Sequence, residues 1–527
     1  MAHEQNQLNP ELVNWLKDRQ VSLKIVKTTT TPSGQTIDWV PIESQHPSGK
    51  IATAPPAVAL EYRAKASSFE LDDPRIERGP AGTVPILRPD IARLSQFAGA
   101  KDLHSNRGRV NINKSHPNRK PTSPGQNIYF HAFEEQSGTF YGWDGYLNVW
   151  DPAINIPAGG NGEDHSILQV WLLNSSTGVL QSVEGGWTVD QSLNGDNQPH
   201  LFTYYTVNEY AKEGDYLGGY NTQHKGWIQH SNTIFPGNLI TGTSVFDGAQ
   251  FEKSLKFQLY QAPNSSDVNW WVAVQGVWIG YYPATLFGGG LAVDAEQVQF
   301  GGEVCSTLPN PEQTQDQMGS GYVAAGGWGE SAYLRNPRVQ TDMNGTMAAS
   351  NGSASTDAPV FGGAEPYTIN LDIGSGAAGD GYVFEGLYVG GPAALPAPTQ
   401  TFDKITFNIE TGGDDLRGDS SATAGVALPG GTQTFTLKAQ SAPGWGNNTD
   451  HVESFTLSGP PQPFSAFSDI TITLTSHNKF LQTDDNWNIQ SVLVTVSGSG
   501  GSFTLMSKSG EPLARLTGSS PSVTLHA

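Results

Sequence analysis

Glu184 in "VEGGW" and Glu303 in "FGGEV" each adjoin a Gly-Gly pair beside an apolar, aromatic stretch. Glycine at such a place lets another backbone or a ligand come close. A glutamate there needs a partner, because an ionised carboxylate is seldom buried alone. Two carboxylates that share a site split their titrations, so that one is ionised and the other protonated over an acidic window. Such a pair can hydrolyse an amide. The ionised glutamate takes a proton from water, and the neutral one polarises the carbonyl or protonates the leaving nitrogen. Residue type alone leaves two other readings open: each glutamate held in its own local hydrogen bond, and glycoside hydrolysis, which also uses two carboxylates with aromatic platforms.

Other chemistries are removed by what the sequence lacks. It has no His-Glu-x-x-His, no Gly-x-Ser-x-Gly, no phosphate-binding loop and no dinucleotide fingerprint in a strand-to-helix setting. The closest histidines within one segment, His224 and His230, read as loop residues, so no metal is assigned and no cofactor is expected. The single cysteine, Cys305, excludes an intrachain disulfide. A net charge of -21 argues against a nucleic-acid partner, which would need basic surface. Residues 1–120 nevertheless hold 17 Lys and Arg against 12 Asp and Glu, so a basic head precedes an acidic body. No apolar run reaches the roughly 20 residues of a membrane span, and the first residues lack a signal-peptide pattern. Asn-x-Ser/Thr sequons at Asn113, Asn174, Asn264, Asn344, Asn351 and Asn447 permit a secretory route, so an extracellular or secretory location is the expectation.

The elements that must position the two glutamates are strands. Gly is 61 of 527 residues, charged residues are only 15%, and helical stripes are scarce after residue 126, which predicts an all-β protein of antiparallel sandwiches. The start differs: Asn9 can cap and Pro10 can open a helix with a Leu12, Val13 and Leu16 stripe. Residues 1–120 thus read as a small mixed α/β region ending in a polar, basic linker, "AKDLHSNRGRVNINKSHPNRKPTSPGQN". "SILQVWLLN" places Gln169 and Trp171 on one face, and "NWWVAVQGVWIGYYP" reads as one long aromatic strand. Residues 344–359 read as a surface loop and 390–400 as a proline-stiffened linker. Beyond it, 401–527 alternates as Ile405, Phe407, Ile409, then Ile470, Ile472, Leu474, then Val492, Val494, Val496, which predicts a second, small β-sandwich.

The segments around both glutamates resemble the neprosin family of glutamic peptidases. "VEGGWTV" and "QFGGEV" look like that family's two catalytic-glutamate segments. "LQVWLLN", "FTYYT", "NWWVAVQGVWIGYYPATLF", "QMGSGY", "SAYLRNPRV" and "LYVGGP" stand in the family's order, over residues 125–393. "GQTIDWVPI" and "GPAGTVPILRP" resemble the activation-peptide region that precedes the catalytic domain. The resemblance implies an acid-active endopeptidase made as a zymogen, cleaving protein or peptide substrates after proline, with no cofactor and with Glu184 and Glu303 as the dyad. It implies no choice of base. Gln169, Trp187, Tyr204 and Tyr281 are the candidates to line the substrate cleft, and a basic pro-segment docked on an acidic domain is the expected means of inhibition. A non-catalytic binding or adhesion protein on the same scaffold is the alternative. The family's cysteines are missing here, which leaves the corresponding loops without staples. In 401–527, "ETGGDDLRGDS" and "TDDNWNIQSVLV" faintly resemble lipoxygenase-type lipid- and carbohydrate-binding modules. Asp414, Asp415, Asp419, Asp484 and Asp485 there read as solvated loop acids rather than a calcium site, and the ligand of this accessory domain stays unnamed.

Overall fold

The computed structural model of the chain describes residues 10–62, 64–90, 128–154, 163–246, 248–306, 316–356, 367–376, 383–392, 401–463, 466–467, 469–477, 484–498 and 501–526. The chain divides into two compact units, residues 1–392 and 393–527. Both are antiparallel and all-β in character. The basic linker from residue 100 to 127 and the linker residues 393–400 lie outside the described residues.

The first unit opens with helix α1 (Pro10–Ser22), which begins at the proline as its fixed φ favours. Next come β1 (Lys27–Thr30), β2 (Thr36–Pro41), β3 (Lys65–Ala66), β4 (Ser68–Phe69) and β5 (Thr83–Leu87). The sandwich follows with β6 (Ile128–Phe140), β7 (Gly142–Asn148), β8 (His165–Asn174), β9 (Gln181–Asp190), β10 (Pro199–Thr206), β11 (Gly218–Tyr220), β12 (Ile228–Gln229) and β13 (Ile240–Thr241). It is completed by β14 (Phe251–Gln261), β15 (Val268–Val274), β16 (Val277–Pro283), β17 (Ala295–Ser306), β18 (Ala332–Gln340), β19 (Met347–Ala349), β20 (Ser353–Thr356), β21 (Thr368–Gly376) and β22 (Val383–Gly390).

Among the described residues, one sheet runs β11-β10-β9-β8-β17-β6-β20 and the facing one β12-β16-β15-β14-β7-β18-β22-β21. One strand run serves both sheets, since β6 ends at Phe140 in the first and β7 starts at Gly142 in the second. Val170, Leu172, Val183, Trp187 and Val189 from the first sheet meet Phe257, Leu259, Trp270 and Val272 from the second in a single apolar core. Two expectations are corrected here. The long aromatic stretch is a hairpin, β15 to β16, because Gln275 and Gly276 both take positive φ (51° and 76°), the pair of values a primed two-residue turn needs. Residues 344–359 are not all loop: β19 pairs with β18, and β20 forms the edge of the first sheet beside β6, its small residues hiding the signal.

The N-terminal region is fastened onto the same unit. β3 pairs in parallel with β14, β4 pairs with β13, and Phe69 enters the main core at 2% exposure. Lys253 Nζ donates to the Ser67 carbonyl, and Arg335, bidentate on Glu252, also donates to the Glu61 carbonyl. Ile51, Ala52, Ala54 and Val58 pack on Trp271, Trp278 and Tyr281. The described contacts are thus mainly backbone pairing and apolar packing, with an exposed ion pair, Lys50–Asp267, at the rim.

The second unit contains β23 (Thr401–Phe402), β24 (Lys404–Thr411), β25 (Ser421–Leu428), β26 (Gly431–Lys438), β27 (Asp450–Thr456), β28 (Gln462–Pro463), β29 (Asp469–Thr475), β30 (Trp487–Gly498), β31 (Gly501–Leu516) and β32 (Ser522–His526). Among the described residues, sheets β27-β24-β30-β31 and β26-β25-β29-β32 enclose Ile405, Phe407, Ile409, Ile470, Ile472, Trp487, Val492 and Val494. Two of its loop acids sit against arginines: Asp414 on Arg515 at 2.9 Å and Asp485 on Arg417 at 2.7 Å.

Candidate active site

Strand register decides which side chains share a face. In an antiparallel ladder, residues directly opposite point to the same side. β8 lies between β9 and β17. Glu184 stands opposite Trp171 of β8 and Tyr204 of β10, and Glu303 stands opposite Ile167 of β8 and His131 of β6. Gln169 lies between them, opposite Gly186 on one side and Gly301 on the other. Glu184, Glu303, Gln169, Trp171, Tyr204 and His131 therefore occupy one face, turned away from the core between the sheets.

The Gly-Gly pairs now have a structural reason. A Cβ on Gly186 would lie 2.0 Å from the Leu168 carbonyl oxygen, and one on Gly301 would lie 2.2 Å from that of Ala132. Any side chain at either position would push the neighbouring strand away. Gly186 lets β9 press close to β8, Gly301 lets β17 press close to β6, and both leave Gln169 flanked by bare backbone between the glutamates.

The two carboxylates have different neighbours. Glu184, 4% exposed, accepts from Ser182 Oγ at 2.5 Å and from Tyr210 Oη at 2.6 Å. Tyr210 reaches it from a loop in which Glu209 and Tyr210 both take left-handed φ, 59° and 56°, and Thr206 Oγ1 accepts the Tyr210 N–H at 3.2 Å. Successive non-glycine residues in that region store strain, which is commonest where a side chain must be aimed. Burial raises the Glu184 pKa to about 8, against the opposing pull of the Ser182 and Tyr210 bonds and with added push from the charge of Glu303.

Glu303 is fully buried, with Oε1 3.3 Å from His165 Nε2 and Oε2 3.2 Å from Gln169 Nε2. His131 Nε2 lies 3.3 Å from Oε2. Burial pushes the Glu303 pKa up, but His131 and His165 outweigh it and hold the group at about 2. The Gln169 Oε1 and Trp171 Nε1 atoms on this face are buried with no hydrogen-bond partner among the described residues. Buried polar atoms are rarely left so, and a water or a peptide group is the usual remedy.

Of the residues expected in the cleft, Gln169 and Tyr204 share the face with the dyad, and Tyr204 stacks on Tyr210 with ring centroids 5.8 Å apart. Trp187 and Tyr281 do not, and both placements are corrected. Trp187 is an odd-numbered residue of β9, so it points into the core, where Nε1 donates to the Asn148 carbonyl. Tyr281 lies in the other sheet against Trp271, and its hydroxyl accepts from the Ala52 N–H. Sequence reasoning missed His131, His165, Ser182 and Tyr210. The first two sat in plain view as "YFHAF" and "EDHSI", but only the register of β6, β8 and β17 aims them at Glu303.

Residues 162–392, which hold both glutamates, match the Neprosin family model. This chain carries a neprosin domain. The match begins at β8 and ends with β22, so it contains Glu184, Glu303, Gln169 and Tyr210 but not His131. A peptidase-type function on protein or peptide substrates is the general activity that the domain supports. Among solved structures the chain is similar to the alpha toxin of Clostridium absonum, at 17% identity over 25% of this chain and 33% of that one, TM-score 0.20. It is similar to the alpha-toxin of Clostridium perfringens avian strain SWCP at 14% identity, over 25% and 32%, TM-score 0.20. The chain spans about a third of each toxin. Domains LG4-5 of the mouse laminin alpha1 chain align over 76% of this chain and 81% of theirs, at 10% identity and TM-score 0.18. At such TM-scores these three carry no argument about fold or function.

Proposed function

We propose that the neprosin domain of this chain is a glutamic endopeptidase in which Glu303 is the general base and Glu184 the general acid. The observation that carries this reading is the opposite setting of two glutamates on one sheet face: one held anionic by two histidines, the other held neutral by burial. Water bound beside Glu303 gives up a proton to it and attacks the scissile carbonyl carbon. Gln169 fixes the carboxylate through Nε2 and offers its unpartnered Oε1 to the same water. Glu184 then protonates the leaving nitrogen, and Ser182 and Tyr210, both donating to Oε1, orient its carboxyl for that step. Activity needs Glu303 ionised and Glu184 protonated, so it spans the interval from about pH 2 to about pH 8.

Both glutamates are buried in the full chain, which supports synthesis as a zymogen. The N-terminal region belongs to the same unit and is the inhibitory segment in this reading, with α1 bringing Trp15 to 5.4 Å from His224, which follows β11 and lies 3.6 Å from Glu213 of the loop that carries Tyr210. A preference for cleavage after proline, export to a secretory or extracellular location, and a targeting role for residues 401–527 complete the proposal.

The test is hydrolysis of a quenched, proline-containing peptide from pH 2 to 8 after acid pre-incubation, comparing wild type with Glu184→Gln and Glu303→Gln. Loss of about a thousandfold or more in both variants, with the fold intact, is the expected result. Undiminished activity in either removes that residue from the dyad. A folded, acid-treated wild type that cleaves nothing shifts the reading to a binding protein.

A further inference from the structure

The tautomer of His165 is set by its surroundings. Its Nδ1 lies 2.8 Å from the Glu163 carbonyl, a pure acceptor, so Nδ1 carries hydrogen. A neutral ring would then turn a bare Nε2 lone pair toward Glu303 Oε1, 3.3 Å away, and two lone pairs repel. With Glu303 ionised, only the doubly protonated ring satisfies both contacts. Asp190 Oδ2, 3.9 Å from Nδ1, adds negative charge on the same side. His131 completes the arrangement from β6 with its Nε2 at Oε2. Both rings are buried, at 2% and 0% exposure, so water does not screen them.

We propose that His131 and His165 are positioning residues that, as imidazolium cations, clamp Glu303 as an anion in the orientation from which it takes the proton of the attacking water. The inference rests on the reading of Glu303 as general base and deepens it. A carboxylate that works in acid must resist its own protonation. Glu303 does so here because a cation stands at each oxygen. The other described groups around the clamp are Glu184, Tyr204 and Tyr210 toward β9 and β10, Gln169 on β8, Asp190 at the end of β9, Tyr129 on β6 and Cys305 on β17. Among these, Glu184 is neutral through the acid range and Asp190 takes hydrogen bonds from Ser192 Oγ and Leu193 N.

The experiment is the pH profile of kcat/KM for the acid-treated full chain and for His131→Gln, His165→Gln and the double variant, with Glu303→Gln as control. Glutamine keeps an N–H donor and removes the charge. The expected result is an acid limb that moves up by about one pH unit for each histidine replaced, with activity recovering toward wild type near pH 5. A merely structural role would lower activity at all pH values alike, and an unmoved acid limb in folded single variants would overturn the proposal. The carboxyl-carbon NMR signal of Glu303, assigned by its absence in Glu303→Gln, supplies a readout independent of turnover. Titration in the usual glutamate range in wild type overturns the clamp, whereas titration far below it that rises in His165→Gln supports it. Should Glu303→Gln remain active, the dyad reading fails, and the NMR titration still decides the clamp.

Discussion

The outer faces of two sheets in this chain follow the same period-two rule and reach opposite ends. In the second unit β29 alternates Ile470, Ile472 and Leu474, all buried, with Thr471 and Thr473, which stay at the surface. In the first, every residue of β8 and β9 is buried on both faces. The inner faces hold Val, Leu and Trp in both units. The outer face of β29 is solvated threonine, whereas that of β8, β9 and β17 is a buried row of Glu, Gln, Trp and His. Solvent satisfies a polar outer face at no cost, but a buried one must be satisfied by its own members. At Gln169 Oε1 and Trp171 Nε1 no described residue supplies a partner.

The comparison is tested most severely at the inner face. Trp187→Ala removes a fully enclosed indole and leaves the Asn148 carbonyl without its donor. A loss of about 3–5 kcal/mol in denaturant unfolding of the first unit is expected, without a shift of the pH limbs of activity in the molecules that remain folded. A change in the pH limbs would return Trp187 to the cleft.

The next effect separates the two outer faces by pH. Glu184 has a raised pKa in the folded state, so its contribution is fully present below the unfolded value near 4.5 and is lost as pH rises toward about 8. Stability of the first unit falls over that interval by a few kcal/mol, and Glu184→Gln flattens the fall. Glu303 acts in the opposite sense: its contribution is present above the ordinary glutamate range and disappears only as pH falls toward 2. Equal slopes from pH 4.5 to 8 in wild type and Glu184→Gln would show that Glu184 is not held neutral.

How far this was legible in the sequence follows from the same contrast. The second unit's strands were readable because solvent on one face enforces alternation in the letters. The first unit's strands were readable by motif more than by period, since "SILQVWLLN" and "FTYYT" are buried throughout. Glu184, Glu303, Gln169 and Tyr204 were named in advance. Trp187 was misplaced because its neighbour in the chain, Gly186, is on the cleft face, and one step along a strand reverses the side. Tyr281 was misplaced because the turn at Gln275 and Gly276 was taken for strand interior. The histidines were out of reach, since their role depends on Glu303 lying 138 residues from His165 and 172 from His131 in sequence, on strands paired in a register that no local pattern encodes.

A smaller effect is expected at Tyr210. Its hydroxyl stabilises the anionic form of Glu184, so Tyr210→Phe raises the Glu184 pKa further and moves the alkaline limb of kcat/KM upward, by about a unit or less. Activity near the optimum falls roughly tenfold, because the proton donor loses one of its two orienting bonds. A downward shift of that limb would reverse the assignment of Glu184 as acid.

The smallest effect belongs to the solvated face. Thr471 and Thr473 exchange hydroxyl hydrogen bonds with Thr524 and Ser522 across β29 and β32, at 2.9 and 3.0 Å. Water competes for every one of those groups, so Thr471→Ala or Thr473→Ala changes the unfolding free energy of the second unit by only about 0.5 kcal/mol. Strand position and polarity are the same as at Gln169. The difference is cover alone. A loss of several kcal/mol at Thr471 would mean that this face is buried against something in solution, and would put the second unit's ligand there.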